Sequence, residues 1–278
     1  MEQKATLKKE VSFSGVGVHS GKNVVCSLKP SSSGEILFVL KNEESFELRI
    51  DPFRIESSFS SILTDGLHKV HTVEHLLAAL YVFGVDSIAI ELEGDEVPIL
   101  DGSARPIAEA LKDAGIQTLP LKKTYLKIVK PFVVHEGNAS IAVDPDDDFK
   151  ITYAIEFAHP AIQKQTFNVV VNIDTFIQEI APARTFGFLK DVEKLWARGL
   201  ALGGSFANAI VLDEEAVVNG PLRFEDEFVR HKIIDLIGDL SLVGYPLIGH
   251  FNAHRAGHSL HLKAVHFLIE HPEYYTLL

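Results

Sequence analysis

Cysteine is almost missing: the 278 residues include only Cys26. No disulfide framework can form within one chain, and no cysteine-based zinc site can form either. Any transition-metal centre must therefore be built from histidine and carboxylates. Positive charge is in deficit as well. Lysine and arginine number 26 against 38 aspartates and glutamates, a formal net charge of −12. That balance argues against a polyanionic phosphate backbone, so no nucleic-acid partner is expected, although a local basic pocket for one nucleotide stays compatible with it. Long hydrophobic runs are absent too. The longest, about Leu76 to Val85, stops at Asp86, short of the ~20 residues that span a bilayer. The opening MEQKATLKKE has no apolar core behind its charges, unlike a secretory signal. A cytoplasmic, soluble protein without a transmembrane segment is the expectation. No stretch is low-complexity, and 46% hydrophobic with 23% charged residues is an ordinary globular balance. At ~150 residues per domain, the length suggests about two domains. What stands out by its presence is histidine, with 13 copies.

Short apolar or alternating runs at Val11–Phe13, Val24–Leu28 and Ile36–Leu40 predict strands. HTVEHLLAALYVFGV (His71–Val85) predicts a helix with Gly84 as its C-cap, followed by a strand over Ser87–Glu93. A second helix, about Pro106–Ala114, follows Ser103 as N-cap. GIQTLPLKK (Gly115–Lys123) reads as a boundary, giving domains 1–120 and 124–278. Strand patterns resume at Tyr125–His135, Ala139–Val143, Lys150–Phe157 and Thr166–Val171. Helical patches follow near Thr175–Ile180 and Phe188–Arg198, then a glycine-rich turn over Gly199–Ser205 and a strand at Ala209–Leu212. HKIIDLIGDLSLVG (His231–Gly244) predicts a long helix, followed by a strand (Pro246–Ala253), the loop His254–Ser259 and a terminal helix.

The two long helices align without a gap. His71 meets His231, His75 meets Asp235, Leu76 meets Leu236, Leu80 meets Leu240 and Gly84 meets Gly244. In both halves strands precede the helix and one follows it, which suggests duplication of one α+β unit. At about 100° per residue, Val73, Leu76, Leu77 and Leu80 form one stripe, and His71 and His75 point away from it. His231, Asp235 and Asp239 likewise point away from Ile233, Leu236, Ile237 and Leu240. If the two units pack face to face, their ligand-type residues meet.

HTVEH matches H-x-x-E-H, a zinc-peptidase arrangement, and HKIID adds a second pair at i, i+4. His71, His75, His231 and Asp235 offer four ligands where catalytic Zn²⁺ takes three and keeps a place for water, so one is surplus or the site is closed. Glu74 sits beside His75 and can take a proton from water whose pKa a nearby Zn²⁺ lowers to ~7. His258, in AGHS before the last helix, stays charged if a carboxylate such as Asp239 faces it. Gly15–Gly21 and Gly199–Ser205 are not followed by the Gly-Lys-Ser/Thr of a phosphate-binding loop and read as turns. A metallopeptidase using His71, Glu74 and His75, and a non-catalytic binding protein with a bridging metal, are the alternative readings.

FSGVGVHSG (Phe13–Gly21), TVEHLLAAL (Thr72–Leu80), EVPILDGSA (Glu96–Ala104), ARTFGF (Ala183–Phe188), LGGSFANAIV (Leu202–Val211), LRFEDEFVRHKIIDLIGDL (Leu222–Leu240) and GHSL (Gly257–Leu260) occur in this order. Together they resemble the UDP-3-O-acyl-N-acetylglucosamine deacetylases, zinc enzymes of the committed step of lipid A synthesis in Gram-negative bacteria. The resemblance implies an α+β fold of two tandem two-layer sandwiches with the active site between them and a βαβ-type insert near 184–205. It implies one Zn²⁺, with Fe²⁺ an alternative in the cell, on His75, His231 and Asp235, with His71 left out. Glu74 is then the general base, His258 the charged histidine and Asp239 its orienting partner. Thr185 and Lys232 fall at oxyanion or substrate contacts, and Phe186 and Arg255 at substrate contacts. Phe157 falls where the family stacks an aromatic on uracil, and Phe188–Leu202, with Leu189, Leu195, Trp196 and Leu200, where it houses the acyl chain. A monomer is expected, with a bell-shaped pH profile set by Glu74 and His258.

Overall fold

The computed structural model describes residues 2–41, 45–57 and 59–278. The chain begins with β1 (Gln3–Leu7), β2 (Val11–Val16), β3 (Asn23–Pro30), β4 (Ile36–Lys41) and β5 (Ser45–Arg49). A small antiparallel sheet follows, made of β6 (Ile55–Ser57), β7 (Ser61–Thr64) and β8 (Lys69–Val70). Next come α1 (Glu74–Val82), β9 (Ile88–Glu93), α2 (Arg105–Ala114) and β10 (Ile116–Lys122). The main sheet here has the order β2-β3-β9-β4-β5. Its strands form because apolar residues alternate: Val24, Cys26 and Leu28 of β3 and Ile88, Ile90 and Leu92 of β9 are buried, as are Leu76, Leu77, Leu80, Ile107 and Leu111 of the helices.

The rest of the chain comprises β11 (Leu126–Ile128), β12 (Phe132–Glu136), β13 (Ala139–Asp144), β14 (Phe149–Glu156) and β15 (Lys164–Val170). One turn, α3 (Ile173–Thr175), runs into a π-helical turn over Phe176–Ile180. Then come β16 (Phe186–Phe188), α4 (Leu189–Ala197), β17 (Ile210–Leu212), α5 (Glu227–Leu240), β18 (Leu247–His254), α6 (His258–Glu270) and β19 (Tyr275–Leu277). In the larger sheet β12 pairs with β13 and β13 with β18, both antiparallel; β18 pairs with β14 in parallel, and β14 with β15 antiparallel. The first sheet has the same sequence of orientations through β2, β3, β9, β4 and β5. In each sheet the parallel strand is preceded by a long helix, α1 or α5, and followed by another, α2 or α6. The fold is thus mixed, with segregated sheets and helices of the α+β class.

Three local expectations are corrected. The segment Gly115–Lys123, where no strand is expected, carries one: Ile116–Lys122 forms β10 and pairs antiparallel with β1. The first long helix starts at Glu74 rather than His71. Thr72 takes the left-handed conformation (φ 58°), and His71 lies in a bridge with Glu96. At α2 the position before the helix is Ala104 rather than Ser103, yet the Ser103 hydroxyl does cap the first turn: it accepts the Arg105 N–H at 3.3 Å and donates to Asp101. The crossover β16–α4–β17 joins a parallel strand pair, with β17 at the strand expected over Ala209–Leu212.

Helices α1 and α5 pack on each other. Gly238 makes this approach possible: a Cβ there would lie 2.1 Å from the Glu74 carbonyl oxygen. The two glycine-rich segments are turns, as expected, and they touch. A Cβ on Gly203 would lie 2.2 Å from Gly17 O, and the Gly203 N–H donates to Val18 O at 3.1 Å.

Candidate metal centre and active site

Helix α5 is buried along most of its length, including His231, Asp235 and Asp239 at spacings of one turn. Such burial of polar groups is costly unless they find partners. They find them in the first turn of α1 and at the start of α6. His75 Nε2 lies 3.6 Å and His231 Nε2 3.4 Å from Asp235 Oδ1. Four ligands at ~2.0–2.1 Å around a tetrahedral ion stand about 3.4 Å apart, so these three donor atoms fit one cation. Partners behind them leave the donor atoms available. His231 Nδ1 donates to Ala183 O at 3.1 Å, which turns the Nε2 lone pair inward. Lys232 Nζ holds the other Asp235 oxygen, Oδ2, at 2.6 Å.

Glu74 is buried beside this triad, and its Oε2 accepts the Ser61 N–H at 3.1 Å. The Ser61 hydroxyl donates to Asp239 Oδ1. Asp239 Oδ2 receives two imidazoles, His258 Nδ1 and His261 Nδ1, each at 2.7 Å. His258 Nε2 comes within 4.0 Å of Asp235 Oδ2, so this second cluster adjoins the first.

Burial pushes the Glu74 carboxyl above its usual range, only partly opposed by His258 and His75. Burial pulls His231 down to about 4, which keeps it a neutral ligand. Burial works against charge on His258 too, but the Asp239 carboxylate and its hydrogen bond prevail and hold the imidazolium up to about 9. Asp239 is itself desolvated, yet its imidazole partners hold it down at about 2. Asp235 likewise stays well below the carboxylate range despite burial, because Lys232 and the histidines face it.

Of the residues expected from the sequence, His75, His231, Asp235, Glu74, His258 and Asp239 converge. Lys232 reaches the same place through Asp235. Thr185 lies two residues after Ala183 and is tied by its N–H to Gly102 O at 2.8 Å. Phe157 and Phe186 stand edge to face at 5.8 Å, and Phe186 is 6.4 Å from the His231 ring. Arg255, with φ 54°, bonds Ala154 O through its N–H and approaches Glu156 at 3.8 Å, beside Phe157. His71 is not in a position to complete H-x-x-E-H, because the left-handed Thr72 takes it off the helix; the peptidase geometry is therefore lost. Ser61 and His261 were not singled out by the sequence reading. Nothing local marks Ser61, whereas His261 follows His258 by three residues on one helix face, a spacing that signals a shared partner.

Two histidines and an aspartate around one point, beside a buried carboxylate and an imidazolium, form the donor set of a metal-dependent hydrolase. A family model described as UDP-3-O-acyl N-acetylglycosamine deacetylase matches residues 4–270. Proteins named UDP-3-O-acyl-N-acetylglucosamine deacetylase are similar along nearly the whole chain. The one from Thermodesulfovibrio yellowstonii is 45% identical over 267 residues, 95% of this chain and 91% of that protein. Those from Syntrophus aciditrophicus and Myxococcus xanthus are 42% and 43% identical, covering 98% of this chain and 87% and 88% of theirs. The chain belongs to this deacetylase family.

Proposed function

We propose that the protein hydrolyses the N-acetyl group of UDP-3-O-acyl-N-acetylglucosamine, releasing acetate in lipid A biosynthesis. The observation that carries this reading is the convergence of His75, His231 and Asp235 beside Glu74 and His258. A divalent cation on the three ligands, Zn²⁺ or in the cell Fe²⁺, supplies Lewis acidity toward the amide carbonyl and acidifies water. Glu74 takes the proton of the attacking water as its oxygen bonds to the carbonyl carbon. Desolvation suits it to this work by raising its proton affinity. His258, kept positive by Asp239, faces the negative charge that develops on the carbonyl oxygen. Thr185 and Lys232 are the further donors assigned to that oxygen, and one such donor is typically worth about 3 kcal/mol of barrier. The C–N bond then breaks, the glucosamine nitrogen takes a proton from Glu74 or His258, and acetate leaves.

Phe157, Phe186 and Arg255 are proposed to receive the uridine end. Exposed apolar side chains on and after α4, namely Leu189, Trp196, Leu202 and Phe206, support an acyl slot in the β16–α4–β17 crossover. A cavity of about 530 Å³ adjoins Leu189, Val192 and Trp196, with Asp213 and Glu214 at its wall. The matching strand orders support two tandem sandwich domains, 1–120 and 124–278, with the site at their junction. A cytoplasmic monomer fits this reading; among the described residues no helix is long and apolar enough to cross a membrane.

The test is acetate release from UDP-3-O-acyl-N-acetylglucosamine by metal-replete protein. Turnover that a chelator stops and added Zn²⁺ restores is expected. Absence of turnover in protein carrying its metal overturns the reading.

A further inference from the structure

We infer that His261 is a positioning residue for this reaction, one that acts with Asp239 to fix the direction of the His258 imidazole. The inference rests on the deacetylase reading. His261 lies on α6 one turn after His258, is fully buried, and hydrogen-bonds to the catalytic cluster through Asp239. Its Nδ1 stands 2.7 Å from Asp239 Oδ2, the same oxygen that His258 Nδ1 meets at 2.7 Å. Asp239 Oδ1 accepts the Ser61 hydroxyl. A carboxylate oxygen has two lone-pair directions. With both taken on Oδ2 and Oδ1 also engaged, the Asp239 carboxylate cannot turn without breaking a buried hydrogen bond.

The far side of the ring is anchored too. His261 Nε2 is 3.0 Å from the hydroxyl of Tyr153, a fully buried residue on β14, and that hydroxyl lies 2.8 Å from Ala256 O. Nδ1–H donates to Asp239, and the Tyr153 hydroxyl, whose one proton goes to Ala256 O, stands as an acceptor at Nε2. A side chain that merely filled space here would be aliphatic, because an imidazole in a dry core is costly without partners at both nitrogens. The line Tyr153–His261–Asp239–His258 thus joins the sheet to the charged histidine. Loss of the Nδ1 donor frees one side of Asp239 and lets the His258 ring swing from its working direction.

Two substitutions separate donation from bulk. His261→Asn places an amide nitrogen near the Nδ1 position, whereas His261→Gln places it near Nε2. With metal-replete full-length protein and UDP-3-O-acyl-N-acetylglucosamine, His261→Asn is expected to keep kcat within about threefold of the parent. His261→Gln is expected to lose about tenfold or more, as with other residues that orient a catalytic group. KM should stay within about twofold, with bound metal unchanged. An unchanged kcat in His261→Gln, an equal loss in both variants, or a rise in KM matching the loss overturns the assignment. If neither variant folds, Tyr153→Phe carries the test: lower kcat at constant KM supports the assignment, and parental kcat overturns it. The NMR signal of the His258 Nδ1–H proton gives a readout independent of turnover. It should be downfield in the parent and in His261→Asn and lost in His261→Gln. If the parent shows this pattern but releases no acetate, the deacetylase reading fails while the positioning role stands. If the pattern is absent, the positioning role fails.

Discussion

Glu74 and His258 lie in one dry cluster, yet their surroundings drive them in opposite directions. Burial raises the carboxyl of Glu74, while Asp239 keeps His258 protonated up to about 9. Paired groups whose proton affinities are set by different neighbours are a frequent mark of acid–base chemistry. Glu74→Gln should therefore lower kcat by roughly 100- to 10,000-fold, with metal content and KM little changed; steady-state kinetics beside metal analysis checks this. The pH profile follows with a definite sign. His258 is required charged, so activity is present below its proton affinity and falls as pH rises through about 9. In His258→Gln the remaining activity should lack that basic limb, and a limb unmoved by the substitution contradicts the assignment. At this scale the sequence was informative where residues share a helix. His231, Asp235 and Asp239 repeat every four residues, and their common face needed no coordinates. Ser61 joins Glu74 to Asp239 only because β7 lies against both helices, a contact between residues far apart in the chain.

Helix α1 begins where backbone conformation, rather than side-chain periodicity, dictates it. Thr72 is β-branched and occupies φ 58°, a region such residues seldom enter. Its hydroxyl donates to Glu96 Oε1 at 2.9 Å, and the same buried carboxylate accepts the N–H groups of His19 and Ser20. That network takes His71 off the helix, so the five matching letters do not form the i, i+4 helical pair they suggested. By contrast, the ungapped match of HTVEHLLAALYVFG with HKIIDLIGDLSLVG did foretell that α1 and α5 occupy equivalent places. Their contact turns on Gly238. An added methyl meets backbone, not a movable side chain, at 2.1 Å from Glu74 O. Gly238→Ala should cost about 1–3 kcal/mol of stability, typical of overpacking, and should also lower kcat by shifting Glu74. A denaturant midpoint equal to the parent's contradicts this account of the helix crossing.

For the molecule as a whole, alternation of apolar residues predicted most strands, and the matched helices suggested a repeated α+β unit. The strand β10 was missed because glycine, proline and two lysines resemble a linker. Its pairing with the distant β1 outweighs that local composition. The strand expected at Ala209–Leu212 is β17, and its pairing with β16 is a parallel contact between residues more than 20 apart that local composition does not show. Helices α1 and α5 pack on each other, and the proposed cation would be held at their contact by His75 from α1 and by His231 and Asp235 from α5. Bound metal per chain, measured in the parent and in His71→Ala, His75→Ala, His231→Ala and Asp235→Ala, probes that arrangement most directly. One equivalent is expected in the parent and in His71→Ala, with marked loss in the other three. Metal lost from His71→Ala, or retained in His75→Ala and Asp235→Ala, contradicts it.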